Sequence, residues 1–227
     1  MMKKIRLIVF DFDGTLGDTR RNILLTMRET MKALSLPVAD DEAIAATIGL
    51  PLQGCFNQLY PDLPEELFER CADTYRRIFE ENRKKFMPAL FPHVKDVLSE
   101  LHRRGYIMTV ASSRSSFSLQ EFLRDMDIDS SISLVLGADD VEHAKPDPEP
   151  VLKTLRTLGI PADETLVVGD MPVDILMGAR AGAHTCAVTY GNSTPEELQT
   201  AGAEVLIDDF SQLLSILTKS PSQRGRG

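Results

Sequence analysis

The stretch Ile5-Arg6-Leu7-Ile8-Val9-Phe10-Asp11-Phe12-Asp13-Gly14-Thr15 decides how the rest of the chain is read. Its first six residues form a short β-rich run that stops abruptly at an acidic turn containing glycine. An apolar run of this length, bounded by a turn, reads as a parallel strand buried on both faces. In open parallel sheets the ligand site lies beyond the carboxyl ends of the strands. Asp11 and Asp13 therefore stand where chemistry is expected.

Downstream of the acidic turn the period changes. Ile23, Leu24, Met27, Met31 and Leu34 fall on one helical face over 19–36, and Pro37 closes the helix. Gly49-Leu50-Pro51-Leu52 marks a loop. A second helical pattern, Leu67, Phe68, Cys71, Tyr75, Ile78 and Phe79, begins after Pro64, and nothing over 19–86 reads as a strand. After Pro88 helices and strands alternate. Helices are predicted near 94–101, 117–126, 148–158 and 174–181, and strands over 106–111, 132–136, 165–168, 185–188 and 205–207. This alternation predicts an α/β fold, a doubly wound parallel sheet covered on both faces. Residues 1–16 and 88–227 form its core, and 17–87 is an all-helical insertion after strand one. The polar tail, 220–227, is expected to be disordered.

The composition of 227 residues, 43% hydrophobic and 26% charged, is that of an ordinary globular protein. With 25 Lys+Arg against 34 Asp+Glu, the net charge of -9 argues against holding nucleic acid or an anionic membrane by bulk electrostatics. An anionic substrate would then need a local reversal of sign. Cys55, Cys71 and Cys186 are odd in number and widely spaced, which suggests neither a disulfide framework nor a zinc knuckle. The apolar run after Met1-Met2-Lys3-Lys4 is stopped by Asp11, too soon for a signal peptide, and no stretch approaches a membrane span. A cytoplasmic monomer or homodimer is expected.

Four predicted strand ends carry reactive or anion-binding side chains. They are Asp11-Phe12-Asp13-Gly14-Thr15, Ser112-Ser113-Arg114, the loop to Lys145-Pro146, and Gly169-Asp170 with Asp174. Hard oxygen ligands from Asp11 and Asp170 suit Mg2+, which takes one or two carboxylates plus phosphate and water. A carboxylate beside such an ion can attack phosphorus. Asp13 can protonate the leaving oxygen and then activate water. Lys145 and Ser112 would neutralise and hydrogen-bond the phosphoryl oxygens, and Gly14 would let backbone amides approach them. Ser112 and Ser113 are also placed to cap the following helix, a role compatible with binding an anion there.

With these motifs the chain resembles the haloacid dehalogenase superfamily and, within it, the phosphoglycolate-phosphatase-like branch. Asp11-Phe12-Asp13-Gly14-Thr15-Leu16, Ser112, Lys145-Pro146-Asp147-Pro148 and Gly169-Asp170-Met171-Pro172-Val173-Asp174 occur in the family's order and spacing. The resemblance implies Asp11 as nucleophile, Asp13 as general acid and base, and Mg2+ held by Asp11, Asp170 and the Asp13 carbonyl. Asp174 and Thr15 would stand behind these ligands or act through water. Ser112, Ser113, Lys145 and Gly14 would bind the phosphate. The helical insertion would be a mobile cap with hinges near 16–19 and 86–91. Arg20, Arg21 and Gly49 are the candidate specificity positions. A small phosphorylated metabolite such as phosphoglycolate is the implied substrate. Alternatives are a pyrophosphatase, a nucleotide or sugar-phosphate phosphatase, a β-phosphoglucomutase, or a binding protein on the same fold. Ile23 and Gly169 replace residues of the mutases, which disfavours that reading, and His93 stands where the family commonly has glycine.

Overall fold

A computed structural model of the chain describes residues 5–217; the tail expected at 220–227 lies outside them. Strand β1 (Leu7–Phe10) is followed by β2 (Gly17–Asp18), helices α1 (Arg20–Ala33), α2 (Asp41–Ala45), α3 (Leu52–Leu59) and α4 (Phe68–Lys85), and β3 (Ala89–Leu90). The alternating half comprises α5 (Val94–Arg103), β4 (Ile107–Ala111), α6 (Ser116–Asp125), β5 (Leu134–Leu136), α7 (Glu149–Leu158) and β6 (Thr165–Gly169). It closes with α8 (Pro172–Arg180), β7 (His184–Val188), α9 (Pro195–Thr200), β8 (Val205–Ile207) and α10 (Leu213–Ile216). Six strands form one parallel sheet in the order β5-β4-β1-β6-β7-β8.

The unbroken apolar character of β1 has a direct cause. Strand side chains alternate between faces, and both faces here are covered. Ile8 and Phe10 pack with Val97, Leu101, Phe122 and Phe210 on one side. Leu7 and Val9 pack with Val151 and Met177 on the other. The expected doubly wound sheet is therefore present, with β1 near its centre. Helix α8 begins two residues earlier than its apolar pattern suggests. Pro172 fits a first-turn position that needs no N–H donor, and the Asp174 carboxylate accepts from the Met171 amide at 3.1 Å. Among the described residues no helix is long and apolar enough to cross a membrane.

Between β2 and β3 the chain is helical, as expected; six of its buried residues form a separate cluster, while Phe79 joins the main core. Met27 and Met31 of α1 meet Ile44, Cys55, Phe56 and Cys71. Helices α2 and α3 were not evident from periodicity, being five and eight residues long. The first is held by a cap in which Asp40 accepts from the Ala43 amide at 2.7 Å. Flanking this segment, Gly17 pairs with Leu90 and Asp18 with Ala89 in an antiparallel bridge that no two-residue pattern could announce.

Helix α4 docks on α6. Arg83 reaches Glu121 and Asp125, each at 3.0 Å, and its guanidinium lies over the Phe122 ring. Phe122 is fully buried and also packs on Phe12 and Phe79. It therefore joins the sheet to the helical segment through one side chain. Phe122→Ala should cost about 3–5 kcal/mol, as for other buried Phe→Ala changes. Urea unfolding should read this as a lower midpoint, and a change below about 1 kcal/mol would contradict the packing described.

Candidate active site

The register of the sheet assembles the site. Phe10 lies opposite Val110 on one neighbour and Val168 on the other. The residues that follow, Asp11, Ser112 and Asp170, consequently leave three adjacent strands at one rim. Lys145 arrives from the loop between β5 and α7, and Asp174 from the first turn of α8. All five are buried.

Lys145 Nζ donates to Asp11 Oδ1 at 2.6 Å and to Asp174 Oδ1 at 2.7 Å. One oxygen from each of Asp11, Asp170 and Asp174 lies within 4.8 Å of the others. Three buried carboxylates thus face a single ammonium, and like charges crowded in a poorly solvated place disfavour ionisation. Burial raises the Asp11 pKa well above the ordinary carboxylate range, against the pull of Lys145. Burial, then the neighbouring Asp174, pushes Asp170 up to about 7. Burial also opposes the charge on Lys145, but Asp11 and Asp174 outweigh it and raise its pKa. A group of hard oxygens carrying more negative charge than its ammonium neutralises is the donor set that suits Mg2+. Asp11 and Asp170 fit it as direct ligands. The Asp174 oxygens accept from Lys145 and the Met171 amide.

Asp170 is fixed from several sides. Thr15 Oγ1 donates to Oδ1 at 3.1 Å, and the Asn192 backbone and side-chain amides donate to Oδ2 at 2.7 and 2.9 Å. Asn192 was not singled out in the sequence, yet it follows β7, whose carboxyl end adjoins that of β6. Gly14 lies tight against Asp170. Its own N–H donates to the Gly17 carbonyl at 2.9 Å. With φ at +86°, a Cβ there would lie 2.1 Å from Asp170 Oδ2. The glycine therefore makes room for the carboxylate.

Asp13 sits apart from the carboxylate group, in a bidentate ion pair with Arg114. Nε reaches its two oxygens at 2.9 and 2.7 Å and Nη2 reaches Oδ1 at 2.6 Å, while Thr19 Oγ1 donates to Oδ1 at 2.5 Å. The Arg114 guanidinium lies against the touching rings of Phe79 of α4 and Phe122 of α6, 4.7 and 4.8 Å from their centroids. Arg114, though quoted at its strand end, is the residue to which sequence reasoning gave no role. Its signal was available, as the cation directly after Ser112-Ser113. The serines divide their work otherwise than expected: Ser112 Oγ accepts from the Arg114 amide, Ser113 Oγ donates to the Gly49 carbonyl at 2.6 Å, and Ser115 caps α6.

A cavity of about 770 Å³ opens over Asp13 between the helical segment and the sheet rim. Gly49, Ser113 and Arg114 line it, whereas Arg20 and Arg21 do not. Arg20 instead donates to Asn192 Oδ1 at 3.3 Å, and Arg21 stacks on Phe86. His143 pairs with Glu149 on the exposed rim of its loop. His93 has a left-handed φ of 67°, which explains the family's preference for glycine there.

The Asp13–Arg114 pair is almost enclosed, its side chains 12% and 11% exposed. Removing one partner of such a pair strands the other charge. Arg114→Ala should destabilise the fold by about 3–5 kcal/mol. Thermal unfolding of Arg114→Ala, Asp13→Asn and the double variant should show strong non-additivity, and additive losses would contradict the pairing.

The chain matches the family described as haloacid dehalogenase-like hydrolase over residues 8–188. It is 38% identical to "Probable phosphatase IndB" of Dickeya dadantii over 92% of this chain and 91% of that one. It is 32% identical to the phosphoglycolate phosphatase of Photorhabdus laumondii, covering 96% and 94% of the two chains. The crystal structure of a predicted phosphoglycolate phosphatase from Haemophilus somnus superposes with a TM-score of 0.84 at 26% identity, covering 95% of this chain and 99% of that one. Motif order, sheet topology and these likenesses agree, and the chain belongs to the haloacid dehalogenase-like hydrolases, as a phosphatase of the phosphoglycolate-phosphatase-like branch.

Proposed function

We propose that the enzyme hydrolyses a small phosphomonoester through a phospho-aspartate on Asp11, with Mg2+ as cofactor. The observation that carries this reading is the buried cluster of Asp11, Asp170 and Asp174, with Lys145 bonded to the first and last of them. Bound at Asp11, Asp170 and the Asp13 carbonyl, Mg2+ would screen the nucleophile from the incoming phosphate and draw charge from the phosphoryl oxygens. Asp11 attacks phosphorus, so that an Asp11 Oδ–P bond forms as the bond from phosphorus to the leaving oxygen breaks. Lys145 aligns the nucleophile and, with Ser112, meets the oxygens over which transition-state charge is spread. Asp13 gives a proton to the leaving oxygen. It then takes one from a water that attacks the phospho-aspartate, releasing inorganic phosphate and restoring Asp11.

Helices α1–α4 act in this reading as a cap over residues 17–87, turning about the β2–β3 bridge to admit substrate. The relative from Photorhabdus laumondii makes phosphoglycolate the reference ester, with pyrophosphate, nucleotides and sugar phosphates as alternatives on the same machinery. A mutase is opposed by packing, since a Cβ at Gly169 would lie 2.2 Å from that of Asp174. The three cysteines are unpaired and buried, which suits a reducing compartment, the cytoplasm.

Asp11→Asn should abolish hydrolysis of p-nitrophenyl phosphate in Mg2+, and retained turnover would remove the nucleophile assignment. Asp13→Asn should lower kcat by about 10²–10⁴-fold, the range of a general acid–base. EDTA should silence the enzyme and added Mg2+ restore it. At about a hundredfold excess over its Kd, Mg2+ should stabilise the fold by about 2.7 kcal/mol, read as a raised Tm. Asp170→Asn should lose that shift; an unchanged shift would place the ion elsewhere.

A further inference from the structure

We infer that the preferred ester carries an uncharged leaving group with an apolar face, rather than a second anion such as a carboxylate or phosphate. This rests on the phosphatase reading of the same site and concerns the space beyond the phosphoryl group. An anionic leaving group needs an uncommitted cation in the cavity wall. Arg114 and Arg76 are the wall's two arginines among the described residues, and the wall holds no lysine. Arg114 spends Nε and Nη2 on Asp13 and lies against the Phe79 and Phe122 rings. Arg76 is paired with Asp73 at 2.8 Å. Arg20 and Arg21, the cations best placed in sequence to hold a carboxylate, lie outside the wall.

The carboxylates of the wall are less committed. Glu65, Glu66 and Glu69, from the turn before α4 and its first residues, all line the cavity and are exposed. No salt bridge among the described residues engages them. Their shared sign makes this side of the cavity repel an anion entering from solvent. The opposite tendency is built into the rest of the wall. Ile23, Ile48, Leu52 and Phe68 line it, and Phe117, 67% exposed, presents an aromatic ring to the same space. A cavity of about 770 Å³ lies within the ~300–1,000 Å³ range that buries drug-sized ligands. That is far more room than a two-carbon acid fills. Asp13, the proposed proton donor to the leaving oxygen, lines this cavity, and the walls around it select against a second negative charge.

The test compares esters matched in size that differ by one carboxylate: 2-hydroxyethyl phosphate against phosphoglycolate, and glycerol 3-phosphate against 3-phosphoglycerate. With Mg2+ present at low salt, kcat/KM for the uncharged member of each pair should be higher by at least about tenfold, within the 10–10³ reach of electrostatic focusing. Reversing the rim with Glu65→Lys, Glu66→Lys and Glu69→Lys together should bring that ratio down by at least about tenfold, and the effect should fade as salt screens it. Preference for the carboxylate member, or a ratio indifferent to the charge reversal, overturns the inference while leaving a phosphatase. Failure to turn over every ester, p-nitrophenyl phosphate included, overturns the phosphatase reading and this one with it.

Discussion

The contact on which the site depends is that of Lys145 with Asp11 and Asp174, an ammonium held at 2.6 and 2.7 Å from two carboxylates in a closed interior. A charge taken out of water is costly unless its partners are fixed at hydrogen-bond distance. Each partner here comes from a different element: the end of β1, the loop after β5 and the first turn of α8. The parallel register of β1 with β4 and β6 fixes their separation. Asp170 then adds a third carboxylate that the lysine does not reach. Thr15, Asn192 and the bare Cα of Gly14 hold that residue in place. The site is therefore stiff in its geometry and under-neutralised in its charge, a combination that favours a divalent cation.

Much of this was legible in the residues themselves. The run to Phe10 foretold a strand buried on both faces because no polar side chain interrupts it. The strand-end rule places Asp11, Ser112 and Asp170 at one rim. Elements whose stability comes from elsewhere escaped the sequence. Helices α2 and α3 are too short to show a period and persist because Ile44 and Phe56 complete the Met27–Met31 cluster. The two-residue strands β2 and β3 exist only as each other's partner.

The site followed the same division. Residues that carry chemistry stood out by type and spacing, whereas their supports did not. Arg114 is an ordinary cation in the sequence and becomes a partner of Asp13 only once Phe79 and Phe122 enclose it. Arg20 and Arg21 looked close to a substrate because they closely follow the acidic turn. Helical geometry sends them instead to Asn192 and Phe86. The net charge of -9 likewise divides into an acidic exterior and a small interior region whose carboxylates are arranged to share a cation.

The bridge of Gly17 with Leu90 and Asp18 with Ala89 brings the outgoing and returning chain side by side. To the sheet, everything between them is a single closed loop, and the entropic cost of closure grows only slowly with loop length. The strands after β3 therefore have no means of sensing how many residues lie between those partners. An exchange of that whole segment for a longer, shorter or differently folded one can keep this closure, provided that the new segment also supplies the contacts that Phe79 and Arg83 make on α6. The number of residues between those partners is thus free to vary, and their composition is constrained where the segment meets α6.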